Sequence, residues 1–252
     1  MEKKMRVLIA GESWVVVTTH IKGFDYMTTS TYEEAVEWLQ KALEESGIGV
    51  DFLPNHLASR KFPMSMEELK LYQVVILSDI GANTLLLHPD TFLHSQTTPN
   101  RLDLLHDYVQ EGGGLMMIGG YLSFTGLSGK ANYRGTGVEK ALPVALLSTD
   151  DRVEVPQGFS PEICNPTHPI LRGIQGPWPI LLGYNRVEPK PDAAVLLKYN
   201  DDPIVAAWQY GRGRAAVFTS DCALHWGSPD FLDWRGYTTF FSQMVRWLAQ
   251  AL

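Results

Sequence analysis

A short apolar run enclosed by glycines places the strongest constraint on what this chain can fold into. Residues 115–118 (Leu-Met-Met-Ile) follow three glycines, end at Gly119-Gly120 and give way to a polar, aromatic loop. A short apolar run between turn-forming glycines is typical of a buried parallel strand. We therefore expect a helix, a turn, a buried strand and then a sharp turn. That turn would bring Tyr121 and Ser123 to the carboxyl end of the strand, where ligands bind in open α/β sheets.

Strand and helix patterns alternate through the first half of the chain. Strands are predicted over residues 5–10, 49–53, 74–77 and 115–118. Three helices are predicted. The first begins at a capping box at Ser30 or Thr31, the second begins at Ser65, and the third covers residues 101–110. This alternation favours a parallel sheet covered on both faces.

The second half has a different pattern, with strands predicted over residues 193–199, 204–209 and 215–219. A hairpin-type turn at Gly211 joins the last two, and an amphipathic helix is predicted from Gly236. The predicted fold class is α/β, a flavodoxin-like three-layer sandwich with a mainly parallel sheet and added antiparallel strands. We expect residues 1–252 to form one domain.

Composition excludes several classes of protein. The 252 residues are 45% hydrophobic and 19% charged, which is typical of a folded globular chain. The net charge of -7 and the absence of any basic run longer than Lys3-Lys4 argue against a nucleic-acid partner. Two cysteines are too few for a disulfide framework and indicate a reducing compartment. The first apolar run ends at Gly11-Glu12, too early for a leader or a membrane span, so we expect a cytoplasmic protein without a membrane partner.

Polar loops follow four of the predicted strands, over residues 11–14, 78–83, 119–124 and 220–225. Because the carboxyl ends of parallel strands share one edge of a sheet, these loops are expected to form one pocket. The pocket is predicted to bind a small polar molecule or a partner subunit. Its candidate ligand-binding residues are Gly11, Glu12, Ser13, Trp14, Asp79, Gly119, Gly120, Thr219 and Ser220.

Three segments carry a resemblance to a known family: residues 112–124, residues 165–174 (Asn-Pro-Thr-His-Pro-Ile-Leu-Arg-Gly-Ile), and residues 211–222 with their continuation to 234–237. The chain resembles the class I glutamine amidotransferase-like proteins, and more narrowly a group of them with unassigned activity. The resemblance implies a catalytic cysteine in a G-x-C-x-G turn and a histidine in an F-H-P-E segment. In this chain the cysteine position falls on Tyr121, or with less support on Ser123. The histidine position falls on Thr219, while Asp221 keeps the acid.

The usual thiolate chemistry is therefore not expected, and whether the chain is an enzyme stays open. One alternative is a hydrolase or amidase that uses Ser123 or Tyr121 as nucleophile, His225 as base and Asp221 to orient it. Tyrosine is a poor nucleophile because the pKa of its hydroxyl lies near 10. In the other alternative, Ser123 caps a helix after the turn, and Asp221 and His225 bond to loop backbone.

No cofactor or metal is predicted. Gly11 is the only glycine in the first strand-to-helix turn, so the dinucleotide fingerprint is absent, and no P-loop occurs. Neither of two histidine and aspartate groups matches zinc-ligand spacing (His88, Asp90 and His94; His20 and Asp25). Cys164 and Cys222 are expected to be buried and unreactive. An aromatic segment over residues 226–241 is expected either to pack in the core or to line a subunit interface, which leaves a homo-oligomer open.

Overall fold

A computed structural model of the chain describes residues 5–174 and 176–252. Within these residues the strands are β1 (Arg6–Gly11), β2 (Ser13–Lys22), β3 (Asp25–Glu34), β4 (Gly49–Pro54), β5 (Val74–Ser78), β6 (Gly114–Ile118), β7 (Val144–Leu146), β8 (Arg152–Phe159), β9 (Glu162–Ile163), β10 (Leu181–Asn185), β11 (Val187–Pro189), β12 (Ala194–Tyr199), β13 (Asp202–Tyr210) and β14 (Gly213–Phe218). The α-helices are α1 (Glu37–Glu45), α2 (Asn55–Lys61), α3 (Met66–Leu69), α4 (Ala82–Leu86), α5 (Pro89–His94), α6 (Arg101–Gln110), α7 (Gly137–Ala141), α8 (Pro229–Leu232) and α9 (Gly236–Leu248). Short 3-10 helices lie at Leu127–Gly129 and Pro169–Leu171.

One large sheet organises the molecule. Its strand order is β4-β1-β5-β6-β14-β13-β12-β9. The first five strands in this order are parallel, and β13, β12 and β9 continue the sheet in antiparallel pairing. The predicted fold class, a mainly parallel sheet with added antiparallel strands, is confirmed. Smaller two-stranded sheets pair β10 with β8, β11 with β7 and β2 with β3.

The central strands are buried on both faces. In β1, Val7 and Ile9 pack into a core that includes residues of α1 and α9. The alternate residues Leu8 and Ala10 pack on the opposite face, in a core that includes residues of α2 and α6. Strands covered on both faces are apolar at every position. This explains why the run at 115–118 shows no polar alternation.

The structure corrects the prediction for residues 13–34. These residues form an antiparallel hairpin of β2 and β3, with Ser13 opposite Glu34 and Lys22 opposite Asp25. The prediction was a loop over residues 11–14 and a helix that begins at Ser30 or Thr31. The first helix starts only at Glu37, and its N-cap residue, Val36, makes no side-chain cap. The capping-box interpretation was wrong because β-branched residues favour the extended backbone in both strands.

Three further expectations change with the structure. No helix follows the turn after β6, since the next helical residues are Leu127–Gly129, so Ser123 caps none. Cys164 is exposed rather than buried, whereas Cys222 is buried as predicted. The aromatic segment belongs to the core, because Trp226, Phe231 and most of its other rings are buried.

Candidate functional site

A cavity of about 310 Å³ opens at the carboxyl ends of the parallel strands. Its lining residues are Glu12, Trp14, Asp79, Tyr121, Asp221, Leu224 and His225. Trp14 lies near the start of β2, and the other lining residues come from the loops after β1, β5, β6 and β14, which are neighbours in the sheet. The structure therefore brings together side chains from the four loops that the sequence places at this edge.

Two glycines allow these loops to approach one another. Gly11 has a φ of 121°, and a Cβ atom there would lie 1.6 Å from the carbonyl oxygen of Ser78. Gly120 has a φ of 147°, and its Cβ would lie 2.8 Å from Asp79 Oδ1. A larger residue at either position would force the loops apart and displace the lining side chains.

The backbone is strained where the pocket carries its polar groups. Glu12 and Asp79 have φ values of 43° and 45°, and His225 has a φ of 134°. Positive φ is uncommon in residues other than glycine, and such strain clusters at functional sites. The surrounding fold thus holds these three residues in backbone conformations that their residue types disfavour.

Three carboxyl groups, of Glu12, Asp79 and Asp221, meet in the pocket. Burial raises the pKa of Glu12 well above its usual range, and the charges of Asp221 and Asp79 raise it further. Burial also raises the pKa of Asp221 and raises that of Asp79 to about 6. Ser78 Oγ donates a hydrogen bond to Glu12 Oε1. The pocket therefore gathers three carboxyl groups whose ionised forms are disfavoured by burial and, for Glu12 and Asp79, by repulsion from neighbouring carboxylates.

His225 is the basic partner of this cluster. Its Nδ1 lies 3.3 Å from Asp221 Oδ2, and its ring stacks on Trp226 with centroids 4.8 Å apart. Burial favours the neutral imidazole, but the hydrogen bond and the charge of Asp221 outweigh it and raise the pKa of His225. Either the histidine or a bound cation can therefore balance the charge of Asp221.

Tyr121 forms one wall of the pocket and is held there by several contacts. Its hydroxyl donates to Glu154 Oε1 at 3.2 Å. The Arg152 guanidinium lies 5.1 Å from the ring centroid, and the His225 ring meets the ring edge-on at 4.5 Å. The phenol is thus a positioned aromatic surface.

Two backbone amides of the turn after β6 already have acceptors. Leu122 N donates to Asp79 Oδ1 at 2.6 Å, and Gly120 N donates to the side-chain oxygen of Asn185 at 3.0 Å. An oxyanion hole needs such amides free and aimed at the reacting oxygen. In this structure a carboxylate and an amide side chain occupy them.

Several predicted site residues support the pocket without lining it. Ser123 is only 1% exposed, and its Oγ accepts from Asp79 N at 3.1 Å. Thr219 Oγ1 donates to Pro203 O at 3.1 Å, and Ser220 Oγ donates to Gly183 O at 2.8 Å. These hydroxyls satisfy buried backbone groups.

Ser13 also supports the pocket, because it receives hydrogen bonds from Asn55. Gly119 brings β6 close to β14, and a Cβ there would lie 2.1 Å from Thr219 O.

Sequence reasoning missed two groups that shape this site. Asn185 Nδ2 donates to Asp151 Oδ1 at 2.8 Å. Asp151 in turn accepts from Thr125 N and Gly126 N. The only signal in the sequence was an asparagine at the end of the apolar run 181–185, a position that could equally have been in solvent.

One corner of the pocket has the composition of a metal site. Ligand atoms of Glu12, Asp221 and Cys222 lie within 4.8 Å of one another, and all three residues are buried. Burial, followed by the charges of Glu12 and Asp221, raises the pKa of the Cys222 thiol well above its usual range. A metal ion bound there would have to displace the thiol proton.

The fold and the position of the pocket define the class of the protein, which is class I glutamine amidotransferase-like. The chain belongs to the family described as "Putative glutamine amidotransferase", whose model matches residues 6–250. No curated protein matches it. Among the described residues, no helix combines the length and the apolar composition needed to cross a membrane.

Two solved structures of Salmonella typhimurium proteins are highly similar. Cytoplasmic Protein STM3548 is 43% identical, with a TM-score of 0.93 over 96% of this chain and 98% of that one. Cytoplasmic Protein STM1381, from strain LT2, is 44% identical, with a TM-score of 0.93 over 97% and 99% of the two chains. A ThuA-like protein of Parabacteroides merdae, 12% identical with a TM-score of 0.57 over 98% and 90%, shares the fold alone.

Proposed function

We propose that this protein binds a small ligand carrying a positively charged group in the pocket between Glu12, Asp79 and Asp221. The observation that carries the proposal is the convergence of these three carboxyl groups in one cavity. No lysine or arginine stands among the described residues that line it. A bound cation would favour the ionised carboxylates, which burial disfavours.

The size and the walls of the cavity support the same ligand class. A volume of about 310 Å³ lies at the lower end of the roughly 300–1,000 Å³ found for small-molecule sites. Trp14 and Tyr121 line the cavity with aromatic rings, and aromatic rings attract ammonium groups by cation–π interaction. An amine with a short apolar or hydroxylated body matches this combination.

Glutamine hydrolysis by the usual route is not part of the proposal. Tyr121 stands where the family pattern places a cysteine, and Thr219 stands where it places a histidine. The amide N–H of Leu122 is bonded to Asp79. The expected thiolate is therefore replaced at that position, and one amide that would stabilise an oxyanion is already bonded, both of which support a binding role.

Calorimetric titration with a matched set of small molecules tests this proposal. The set contains a primary amine, a quaternary ammonium ion, a neutral polyol of similar size, a carboxylic acid, and Mg²⁺ or Zn²⁺ alone. We expect the amine or the quaternary ion to bind, with at least tenfold weaker affinity for Glu12→Gln and Asp221→Asn. The control Ser123→Ala changes a residue outside the cavity and should bind normally. Preference for the carboxylic acid, or unchanged affinity in both variants, contradicts the proposal.

A second candidate function is general acid–base catalysis on the bound ligand. It is favoured by the His225–Asp221 pair, whose Nδ1 and Oδ2 atoms are 3.3 Å apart beside Tyr121. Assays with ester, amide and glutamine substrates test it, with His225→Ala and Tyr121→Phe as variants. Turnover that survives both substitutions removes this candidate.

We also infer that the protein works in the cytoplasm. The cytoplasmic titles of the two Salmonella proteins and the low cysteine content support this location. Fractionation of cells that produce a tagged chain tests it, and recovery in the periplasm or the membrane fraction contradicts it.

A further inference from the structure

The hairpin of β2 and β3 stands outside both hydrophobic cores. Every residue of β3, and every residue of β2 after Ser13, is exposed. Within residues 5–174 and 176–252, these strands pair only with each other. A lone two-stranded hairpin is marginally stable in water unless another layer or strand covers it. The hairpin is therefore expected to be covered by another protein surface.

The two faces of the hairpin differ in charge. Residues directly opposite each other in an antiparallel pair share a face. On one face Val15 lies opposite Tyr32, Val17 opposite Ser30, Thr19 opposite Thr28 and Ile21 opposite Tyr26. A fifth pair, Ser13 and Glu34, continues this face at its base, where the Tyr32 hydroxyl donates a hydrogen bond to Glu34. The eight residues beyond that base contain no ionisable group other than the two phenols and are called the uncharged face. The opposite face carries Trp14, His20, Lys22, Asp25 and Glu33.

The apolar groups on and beside the uncharged face expose an area of interface size. Tyr26 is 77% exposed, Tyr32 is 45% exposed, and Phe24 at the tip is fully exposed. At roughly 150–250 Å² for each aromatic side chain, these three present on the order of 450 Å². Val15, Val17 and Ile21 are 55%, 64% and 76% exposed and add to it. The total approaches the roughly 800 Å² that each partner contributes to a stable interface.

We propose that the uncharged face is the interface between two copies of this chain, whose hairpins pack face to face. A two-fold interface places the same patch on both subunits, so the patch must be complementary to itself. Beyond Glu34 at its base, the face carries no charge, so most of it meets its own copy without like-charge repulsion and offers nothing to select an acidic or basic partner. Each hairpin would then supply the sheet layer that the other lacks.

Sedimentation velocity of the full chain at micromolar concentrations tests the proposal. We expect a dimer for the natural sequence and a monomer for the double variant Val17→Lys/Ile21→Lys. The matched control, Val16→Lys/His20→Lys, places two lysines at the same spacing on the opposite face and should remain a dimer. A monomeric natural protein, a dimer in both variants, or equal dissociation of both would overturn the proposal. Circular dichroism establishes that each variant is folded before it is compared.

Disulfide trapping gives a second readout that does not depend on weakening the hairpin. In a Cys164→Ser background, Thr19→Cys places a thiol at the centre of the uncharged face, and Thr18→Cys places one on the opposite face. Mild oxidation should cross-link the Thr19 variant at least tenfold faster than the Thr18 variant. Equal rates, or faster cross-linking of the Thr18 variant, would contradict face-to-face packing.

Discussion

Asp79 Oδ1 accepts a 2.6 Å hydrogen bond from the backbone N–H of Leu122, the residue directly after Tyr121. In enzymes built on a nucleophile turn, the amide after the nucleophile helps to stabilise the oxyanion. In this chain the same amide points at a carboxyl group, and an approaching oxyanion would meet the negative charge of Asp79. The contact therefore favours a cationic ligand over an acyl-transfer reaction.

The first prediction concerns the stability of the protein as a function of pH. The pKa of Asp79 is about 6 in the folded protein, against 3.8 ordinarily, so the folded protein holds this proton more tightly than the unfolded chain. Ionisation of Asp79 therefore lowers the free energy of unfolding as pH rises from 3.8 to about 6. Asp79→Asn should raise the free energy of unfolding at pH 7 by up to about 3 kcal/mol and leave it unchanged below pH 3.8.

Urea unfolding of both proteins between pH 3.5 and 8 measures this difference. The asparagine oxygen can still accept from Leu122 N, so the variant removes the charge and keeps the contact. A difference that is the same at every pH would show that ionisation of Asp79 is not its cause.

The second prediction separates a structural role of Ser123 from a chemical one. Ser123→Ala removes the acceptor of Asp79 N, which should cost roughly 1–3 kcal/mol of folding free energy. Ligand affinity should stay within about twofold, because that range is less than 0.5 kcal/mol. Chemical denaturation and calorimetric titration measure the two quantities. Unchanged stability together with lost binding or turnover would place Ser123 in the reaction instead.

The third prediction concerns Asn185. It accepts from Gly120 N and donates to Asp151, and the whole residue is buried. Asn185→Ala should lower the free energy of unfolding by roughly 2–4 kcal/mol, since both partners lose a buried contact. It should also weaken ligand binding, because the turn that carries Tyr121 loses its support. Asn83→Ala, at an exposed position, is the control and should change stability by less than about 0.5 kcal/mol. Equal effects of the two substitutions would contradict this role.

The fourth prediction concerns the two thiols. Cys164 is exposed and Cys222 is buried. Partial desolvation raises the pKa of the Cys164 thiol, and full burial raises that of the Cys222 thiol. A disulfide reagent should label one thiol per folded chain, faster at pH 9 than at pH 7 because the thiolate reacts. The second thiol should react only in denaturant. Cys164→Ser should abolish labelling of the folded protein, and residual labelling would show that Cys222 is accessible.

Local sequence patterns predicted the wrong secondary structure in residues 13–34. No hydrophobic core imposes a regular spacing of apolar residues on that segment. The Ser30 to Glu33 spacing matches a capping box, yet both residues lie in β3. Propensity decided the structure there, since Val15 to Thr19 are all β-branched. The exposed hairpin has no apolar alternation that would have marked it as two strands.

The sequence alone determined the buried parallel sheet and the edge that carries the pocket. Uninterrupted apolar runs such as 74–77 and 115–118 can be covered on both faces only inside such a sheet. The glycines that end the second run fix where the chain turns there. Tertiary structure alone decided that Glu12, Asp79 and Asp221 share one cavity while Ser123 lies beneath it. The physical reason is that strand order sets which loops become neighbours, and burial then decides which polar groups face the cavity and which satisfy the backbone.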